Sequence, residues 1–242
     1  WNKVESIFST ECRLSLGATG GGVQLLAWLL NHPGASGCVV EAQIPYHEGA
    51  LRDYLAAPGP HGSNRRTARD ISLRAFARGA EICGSADHVI GFGCSAALAT
   101  NRARRGEDRA FVAVRRGGEI RWSRLRFTGE SGRLEQEEAL STYSLELLCE
   151  ACGLPATHRL ELPAFVEVEA KKAATDDPID LLLTGQIDVL EIGTDGTPRI
   201  EFERRDRLLF PGSFNPLHDG HMQLAEAAQR QSGRPASMEI SV

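Results

Sequence analysis

The chain has 242 residues, of which 42 % are apolar and 24 % charged, values typical of a globular protein with one large or two small domains. Its formal net charge of −5 creates no overall positive field, so we expect no nucleic-acid partner. The sequence shows neither an apolar run of the roughly 18 residues that a membrane helix needs nor the pattern of a signal peptide. We therefore expect a cytoplasmic protein without a membrane partner.

Strand and helix patterns alternate along the first 155 residues, which favours an α/β domain. The pair Gly117-Gly118 predicts a hairpin turn, because tight turns need positive φ angles. Gly153 and Pro155 predict the end of a long helix. The predicted elements, in chain order, are a strand at 12–16, a helix at 23–31, a strand at 37–46, a helix at 66–82, a strand at 87–93, a hairpin at 109–127 and a helix at 133–153.

After Pro155 the pattern changes to short strand-like segments at 159–170, 180–193 and 199–205. A strand at 207–210 and a helix at 222–231 follow them. Three parts are therefore predicted: a domain at 1–155, a small β-rich connection at 156–206 and a third part at 207–242.

Both ends of the sequence look cut. Residue 1 is Trp rather than Met, and residues 237–242 resemble a strand that has just begun. We therefore expect this chain to be a fragment of a longer protein.

The glycine-rich segment 17–22 lies between a predicted strand and a predicted helix. Glycines let backbone N–H groups approach an anion, and the start of a helix adds positive potential, so this geometry favours phosphate binding. A tight turn required only for packing is the alternative.

Three short motifs accompany this segment: "LGATGG" at 16–21, "PGAS" at 33–36 and "YHEGAL" at 46–51. With them, residues 11–150 resemble the C-terminal amidase domain of the competence-damage-inducible (CinA) family, whose members hydrolyse the amide of nicotinamide mononucleotide. The resemblance implies a three-layer α/β domain and allows a homodimer through it. It also implies a pocket, here vestigial, at Gly17, Thr19, Gly20, Gly21 and Tyr46.

Two departures from the family matter for its chemistry. Gly17 stands where the family has its nucleophilic serine, and Leu51 stands where it has the activating lysine. A serine nucleophile needs both its own oxygen and a base, so this chemistry is predicted to be lost. Ser15 is two positions away and is a poor substitute. Two alternatives stay open: an amide hydrolase with another nucleophile, and a non-catalytic nucleotide-binding or dimerisation module.

Other local motifs are weaker. The segment "GFGCSA" at 91–96 fits a dinucleotide fingerprint, but the segment after it is short and broken, which favours a strand-end turn. Ser95 is not in a nucleophile elbow, because Ala97 replaces the final glycine. Cys149 and Cys152 are spaced like zinc or redox ligands, but without a second pair we expect buried free thiols and no metal site.

The most specific segment is "GSFNPLHDGH" at 212–221, which follows a predicted strand and leads into a helix. His218 and His221 are three residues apart and therefore project from the same face of the helix start. Two imidazoles beside free N–H groups suit a triphosphate, because phosphoryl transfer depends mainly on charge compensation and positioning.

This string resembles the H-x-G-H motif of the nucleotidylyltransferase superfamily, which includes the nicotinamide mononucleotide adenylyltransferases. The resemblance implies that residues 207–242 are the first β-α-β unit of a Rossmann-like domain. It implies ATP or CTP as substrate, Mg²⁺ as cofactor and a role in pyridine-nucleotide metabolism. His218 and His221 would be catalytic, and the nucleotide site would consist of Gly212, Ser213, Phe214, Asn215 and Gly220.

The superfamily's second motif, a Ser/Thr-rich helix start with a basic residue, is not found among the 21 residues after His221. We therefore expect this chain to be inactive by itself and the intact protein to be a nucleotidyltransferase.

Overall fold

The computed structural model describes residues 2–57, 60–101, 106–155, 161–172, 178, 182, 187–194, 196–200, 206–214 and 216–240. The chain divides into two compact units, Trp1–Asp176 (unit 1) and Asp177–Val242 (unit 2), which are described separately. None of the helices in the described ranges is long and apolar enough to cross a membrane.

Unit 1 is built on a mixed six-stranded sheet with helices between its strands. The strands are β1 (Arg13–Thr19), β2 (Val39–Gln43), β3 (Val89–Ala97), β4 (Asp108–Arg116), β5 (Glu119–Phe127) and β6 (Val166–Lys172). The helices are α1 (Asn2–Phe8), α2 (Val23–Leu30), α3 (Ala35–Cys38), α4 (Glu48–Leu55), α5 (Arg65–Cys83) and α6 (Arg133–Ala151). The strand order is β2-β1-β3-β4-β5-β6; β1 pairs in parallel with β2 and β3, and the remaining pairs are antiparallel.

Alternate residues of β1 point to opposite faces of the sheet, as strand geometry requires. Leu14 and Leu16 are fully buried in the main hydrophobic cluster, which also holds apolar residues of α1, α2 and α6. Gly17 faces Ile71 of α5, and Ser15 lies against Gly79 of the same helix. The sheet is therefore covered by helices on both faces, which confirms the predicted three-layer α/β fold of this part.

Gly91 and Gly93 allow α5 to pack very close to β3. A Cβ atom added at Gly91 would lie 2.2 Å from the carbonyl oxygen of Ser72, and one at Gly93 would lie 2.1 Å from that of Ala68. Both glycines lie inside β3, so the predicted strand-end turn is wrong. The G-x-G spacing arises from helix–sheet packing, with both glycines on the face covered by α5.

Part of the predicted connection at 156–206 belongs to the sheet of unit 1, because β6 pairs with β5 in antiparallel register. Within 180–193 the described residues form a strand only at β7 (Glu191–Ile192), and Leu182 is helical. β7 pairs with β8 (Pro198–Arg199), and residues 201–205 lie outside the described ranges. The division after residue 176 reflects only which residues of the chain contact one another in space. The predicted boundaries near 155 and 206 stay predictions.

Unit 2 contains the strand–loop–helix–strand order that the sequence predicts. Its elements are β9 (Leu208–Pro211), α7 (Asp219–Ser232) and β10 (Ala236–Glu239), and the two strands pair in parallel. Gly233 ends the helix with a φ of +70°, which is a common glycine C-cap conformation. None of the described side chains of α7 is buried.

Candidate functional site

His218 and His221 come together at the start of α7. His218 is the N-cap residue, and the two imidazole rings stack with centroids 3.8 Å apart and an angle of 24° between their planes. The backbone N–H of His218 donates to Nδ1 of His221 at 3.4 Å, and the backbone N–H of His221 donates to the carbonyl oxygen of His218 at 2.9 Å. Because Nδ1 of His221 accepts this bond, we infer that the neutral ring carries its proton on Nε2.

Phe214 packs against this pair from the preceding loop. Its ring meets the ring of His221 edge-on, with centroids 5.2 Å apart and an interplanar angle of 84°. Its φ of +44° lies in the left-handed region, which non-glycine residues rarely adopt. A Cβ atom on Gly212 would lie 3.0 Å from the Phe214 ring, so the absence of a side chain at Gly212 makes room for this aromatic ring.

The loop and the helix start line an open cavity of about 460 Å³. Of the predicted site residues, Gly212, Ser213, Phe214, His218 and His221 line it. Gly220 is not among the lining residues, but a Cβ atom there would lie 3.2 Å from the His218 ring; Asn215 lies outside the described residues. The lining residues that the sequence reasoning missed are Phe210, Pro211, Pro216 and Leu224.

Leu224 could have been predicted from the sequence, because it follows His221 by three residues and therefore lies on the same face of the helix. Phe210 and Pro211 end β9, directly before the loop that carries the motif. The site thus combines two imidazoles, one hydroxyl and an apolar wall, which is the usual mixture for a small-molecule cavity.

The predicted pocket of unit 1 brings several of its residues together. The Thr19 hydroxyl donates to the carbonyl oxygen of Pro45 at 3.0 Å, beside Tyr46, which is 64 % exposed. The Arg133 guanidinium donates to the carbonyl oxygen of Gly20 at 3.1 Å and to the Tyr46 hydroxyl at 3.5 Å. Arg133, which starts α6, was missed because nothing in its local sequence links it to residues more than 80 positions earlier.

The space beside Gly17 is filled. A Cβ atom there would lie 2.4 Å from Cγ2 of Ile71 and 3.3 Å from the Tyr54 hydroxyl oxygen. That hydroxyl has no hydrogen-bond partner among the described residues, and burial raises the pKa of Tyr54 to about 12, so it stays protonated at neutral pH. Leu51 is 3 % exposed and belongs to the apolar interior. The two positions at which the sequence predicts the loss of a serine and a lysine therefore hold neither a nucleophile nor a base.

The N–H groups at the start of α2 bind groups of the chain itself. The N–H groups of Gly22 and Gln24 donate to the Glu137 carboxylate at 2.9 and 3.0 Å, and that of Leu25 donates to the Ser141 hydroxyl at 3.1 Å. Glu137 is 8 % exposed. Three N–H groups at the start of α2, where a phosphate was expected, are therefore engaged by α6.

Cys149 and Cys152 are buried free thiols, as predicted. Burial raises the pKa of Cys149 to about 11. Burial also raises the pKa of Cys152, and the neighbouring Cys12 raises it further. Within the described part of the chain, no group of three or more His, Cys, Asp or Glu side chains is arranged to hold a metal ion.

Residues 209–235 match the family described as Cytidylyltransferase-like. The matched segment starts in β9 and includes both histidines and the whole of α7. It is a small part of the chain, so the match characterises this segment rather than the whole protein. No curated protein matches the chain at a significant level.

Solved structures with a similar fold come from the competence-damage-inducible proteins. CihA of Agrobacterium tumefaciens, a competence/damage inducible protein, aligns with a TM-score of 0.53 at 19 % identity over 62 % of this chain and 93 % of that chain. CinA superfamily proteins of Klebsiella pneumoniae and Enterobacter cloacae align with TM-scores of 0.46 each, at 18 % and 20 % identity, over 62 % of this chain and 91 % and 89 % of theirs.

Unit 2 holds only residues 177–242, so the Agrobacterium alignment falls mostly in unit 1. At 19 % identity this likeness shows the fold alone. Unit 1 has the CinA-like α/β fold that the sequence predicted, and unit 2 carries a nucleotidylyltransferase-like segment.

Proposed function

We propose that the protein belongs to the nucleotidylyltransferases and transfers an adenylyl or cytidylyl group at His218 and His221, with unit 1 acting as a non-catalytic CinA-like domain. The observation that carries the proposal is the stacked imidazole pair at the start of α7, which lines the cavity. The match of residues 209–235 to the Cytidylyltransferase-like family supports it independently.

The geometry suits a phosphate in two ways. The first N–H groups of a helix carry partial positive charge, and His218 and His221 add ring N–H donors at the same end of α7. In the proposed reaction the phosphate of an acceptor attacks the α-phosphate of CTP or ATP, and pyrophosphate leaves. The imidazoles donate hydrogen bonds to phosphate oxygens and offset the negative charge that develops on them.

The residues around the cavity do not fit a magnesium site held by the protein. Among the described residues that line the cavity there is no carboxylate, and Mg²⁺ in such sites is usually bound by one or two carboxylates together with substrate phosphates. We therefore assign Mg²⁺ to the phosphates of the nucleotide.

A pyridine nucleotide is the acceptor that we propose first, because the families that both parts resemble include members acting on nicotinamide nucleotides. Amide hydrolysis in unit 1 is not part of the proposal. Ile71 and Tyr54 occupy the space beside Gly17, and Leu51 offers no base.

The test measures pyrophosphate release by the full-length protein from CTP and from ATP, with Mg²⁺ and nicotinamide mononucleotide or its acid as acceptor. His221→Ala is expected to lower the rate about 100-fold, the usual loss when one donor to the transition state is removed. The matched control is His32→Ala, since His32 of unit 1 has the same edge-on contact with a phenylalanine. An equal rate for wild type and His221→Ala would refute the assignment of this histidine.

A further inference from the structure

The buried carboxylate of Glu137 has an unusual position, since it lies at the beginning of a helix from a different part of the chain. Its two oxygens accept from the N–H groups of Gly22 and Gln24 at 2.9 and 3.0 Å, across 115 and 113 positions of sequence. The Ser141 hydroxyl donates to the same carboxylate at 3.3 Å. Three donors therefore converge on one anion.

Helix α2 has no N-cap side chain of its own that could accept hydrogen bonds from its first N–H groups. Its N-cap is Gly22, which has no side chain, and its first turn contains no acidic residue. Uncapped N–H groups at a helix start carry partial positive charge and bind anions readily. The carboxylate supplies both the acceptors and the charge that this end of α2 lacks.

The surroundings leave little space beside the carboxylate. A Cβ atom on Gly21 would lie 3.1 Å from an Oε2 oxygen of Glu137, and one on Gly22 would lie 3.0 Å from the Cys94 sulfur. Cys94 is fully buried, and its pKa is raised by burial first and then by the negative charge of Glu137. The anion is thus enclosed by the glycine-rich segment and β3.

We propose that the start of α2 is an anion-binding site that the protein fills with its own Glu137 carboxylate, which excludes the phosphate of a nucleotide from the glycine-rich segment. The same N–H groups cannot donate to a phosphate and to Glu137 at once. Unit 1 therefore keeps the backbone geometry of an anion site while being closed to an external anion. This inference concerns unit 1 and stands whether or not unit 2 transfers nucleotides.

The test uses Glu137→Ala in the full chain and asks whether an added anion replaces the lost side chain. Acetate is the first probe, because it has the size of the group removed, and inorganic phosphate is the second. The matched control is Glu138→Ala, which removes an exposed glutamate from the neighbouring position of the same helix. Tryptophan fluorescence follows the unfolding of unit 1, since all three tryptophans lie in it.

Glu137→Ala is expected to lower the thermal midpoint of unit 1 by about 5–10 °C, because three buried donors lose their acceptor. Acetate at about ten times its dissociation constant should then raise the midpoint of this variant by about 3 °C. Wild type and Glu138→Ala should shift by less than about 1 °C under the same conditions. Equal anion shifts in all three proteins, or a Glu137→Ala midpoint equal to that of Glu138→Ala, would overturn the proposal.

Glu137→Gln keeps the shape of the side chain without its charge and provides the readout if the alanine variant does not fold. Backbone NMR of this variant should show upfield shifts of the amide protons of Gly22 and Gln24, because charge-assisted hydrogen bonds become neutral ones. Unchanged amide shifts at both residues would contradict the proposal.

Discussion

Unit 1 and unit 2 differ in how they use their polar groups. In unit 1 the site-like segments are enclosed: Glu137 is buried against α2, and Gly17 faces Ile71 and Tyr54. In unit 2 the two histidines line a cavity, and no described side chain of α7 is buried. The two hydrophobic clusters formed by the described residues both lie in unit 1.

This difference shows how a segment with the geometry of a binding site can be closed by the protein itself. Buried polar groups need partners, so donors at a buried helix start must be satisfied either by a ligand or by the protein itself. Glu137 and Ser141 do this for the start of α2. In unit 2 His218 is exposed and His221 is half-buried, and both line the cavity.

Gly→Ala substitutions should give the largest difference in stability between the two units. Gly93→Ala should destabilise unit 1 by about 3 kcal/mol or more, because the added Cβ would meet the backbone of α5 and overpack the interior. Gly220→Ala in unit 2 should change stability by less than about 1 kcal/mol, because the alanine favours the helix and crowds only an exposed His218 ring. Urea unfolding followed by tryptophan fluorescence for unit 1, and by NMR of α7 for unit 2, measures both.

Gly37→Ala is the control within unit 1, since nothing lies within 4 Å of the Cβ position at Gly37. A loss after Gly93→Ala no larger than after Gly37→Ala would show that α5 can move away from β3 at little cost. The close packing that distinguishes unit 1 would then not be what stabilises it.

Alkaline pH should also affect the stability of the two units differently, because all six cysteines belong to unit 1. Burial, the largest cause, raises the pKa of Cys38 and of Cys149 to about 11 each. In the unfolded chain these thiols lose their protons near pH 8.5–9, whereas in folded unit 1 they keep them until about pH 11. The contribution of the two buried thiols to the stability of unit 1 is therefore fully present below about pH 8.5 and is lost as the pH rises towards 11. At pH 10 each of these two thiols should lower the free energy of unfolding of unit 1 by about 1 kcal/mol relative to pH 7.

Urea unfolding at pH 7 and pH 10 measures this loss. The Cys38→Ala, Cys149→Ala double variant should be less stable at pH 7, because each change leaves a small cavity, but its stability should fall less between the two pH values. The same pH-dependent loss in wild type and in the double variant would mean that other groups cause it. Cys83→Ala is the control, since Cys83 is exposed.

Much of the fold was predictable because its signals are local. The helices at 66–82 and 133–153 and the hairpin at 109–127 follow from periodicity and turn residues, and the structure confirms them as α5, α6 and β4–β5. The role of Gly91 and Gly93 was not predictable, because it depends on the approach of a helix that precedes them in sequence. Long-range packing leaves no periodic signal.

The same limit applies to the sites. His218 and His221 were predictable as a pair because their spacing alone places them on one helix face. Glu137 was not, since its partners are more than 110 positions away and its own helix gives no sign of them. The phosphate contact expected at the glycine-rich segment stays a prediction, and the sequence could not show that an internal carboxylate binds the N–H groups of Gly22 and Gln24.

The smallest expected effect compares two similar ring contacts. Phe8 meets His32 in unit 1 with centroids 5.3 Å apart, and Phe214 meets His221 in unit 2 with centroids 5.2 Å apart. Phe8→Leu should lower the stability of unit 1 by about 1 kcal/mol, because Phe8 also packs on the main cluster. Phe214→Leu should cost less than about 0.5 kcal/mol, because Phe214 forms no part of a buried cluster and its replacement changes only a partly exposed ring contact.

What Phe214→Leu should change instead is the orientation of the His221 ring. The ring-proton NMR signals of His221 should move while those of His32 stay in place, and Phe8→Leu should give the reverse. If Phe214 positions a histidine that acts on phosphate, nucleotidyl transfer should also fall about tenfold, since small misplacements of a catalytic group are costly. A stability loss equal to that of Phe8→Leu, with the His221 signals unmoved, would mean that the Phe214 contact serves packing in unit 2 just as its counterpart does in unit 1.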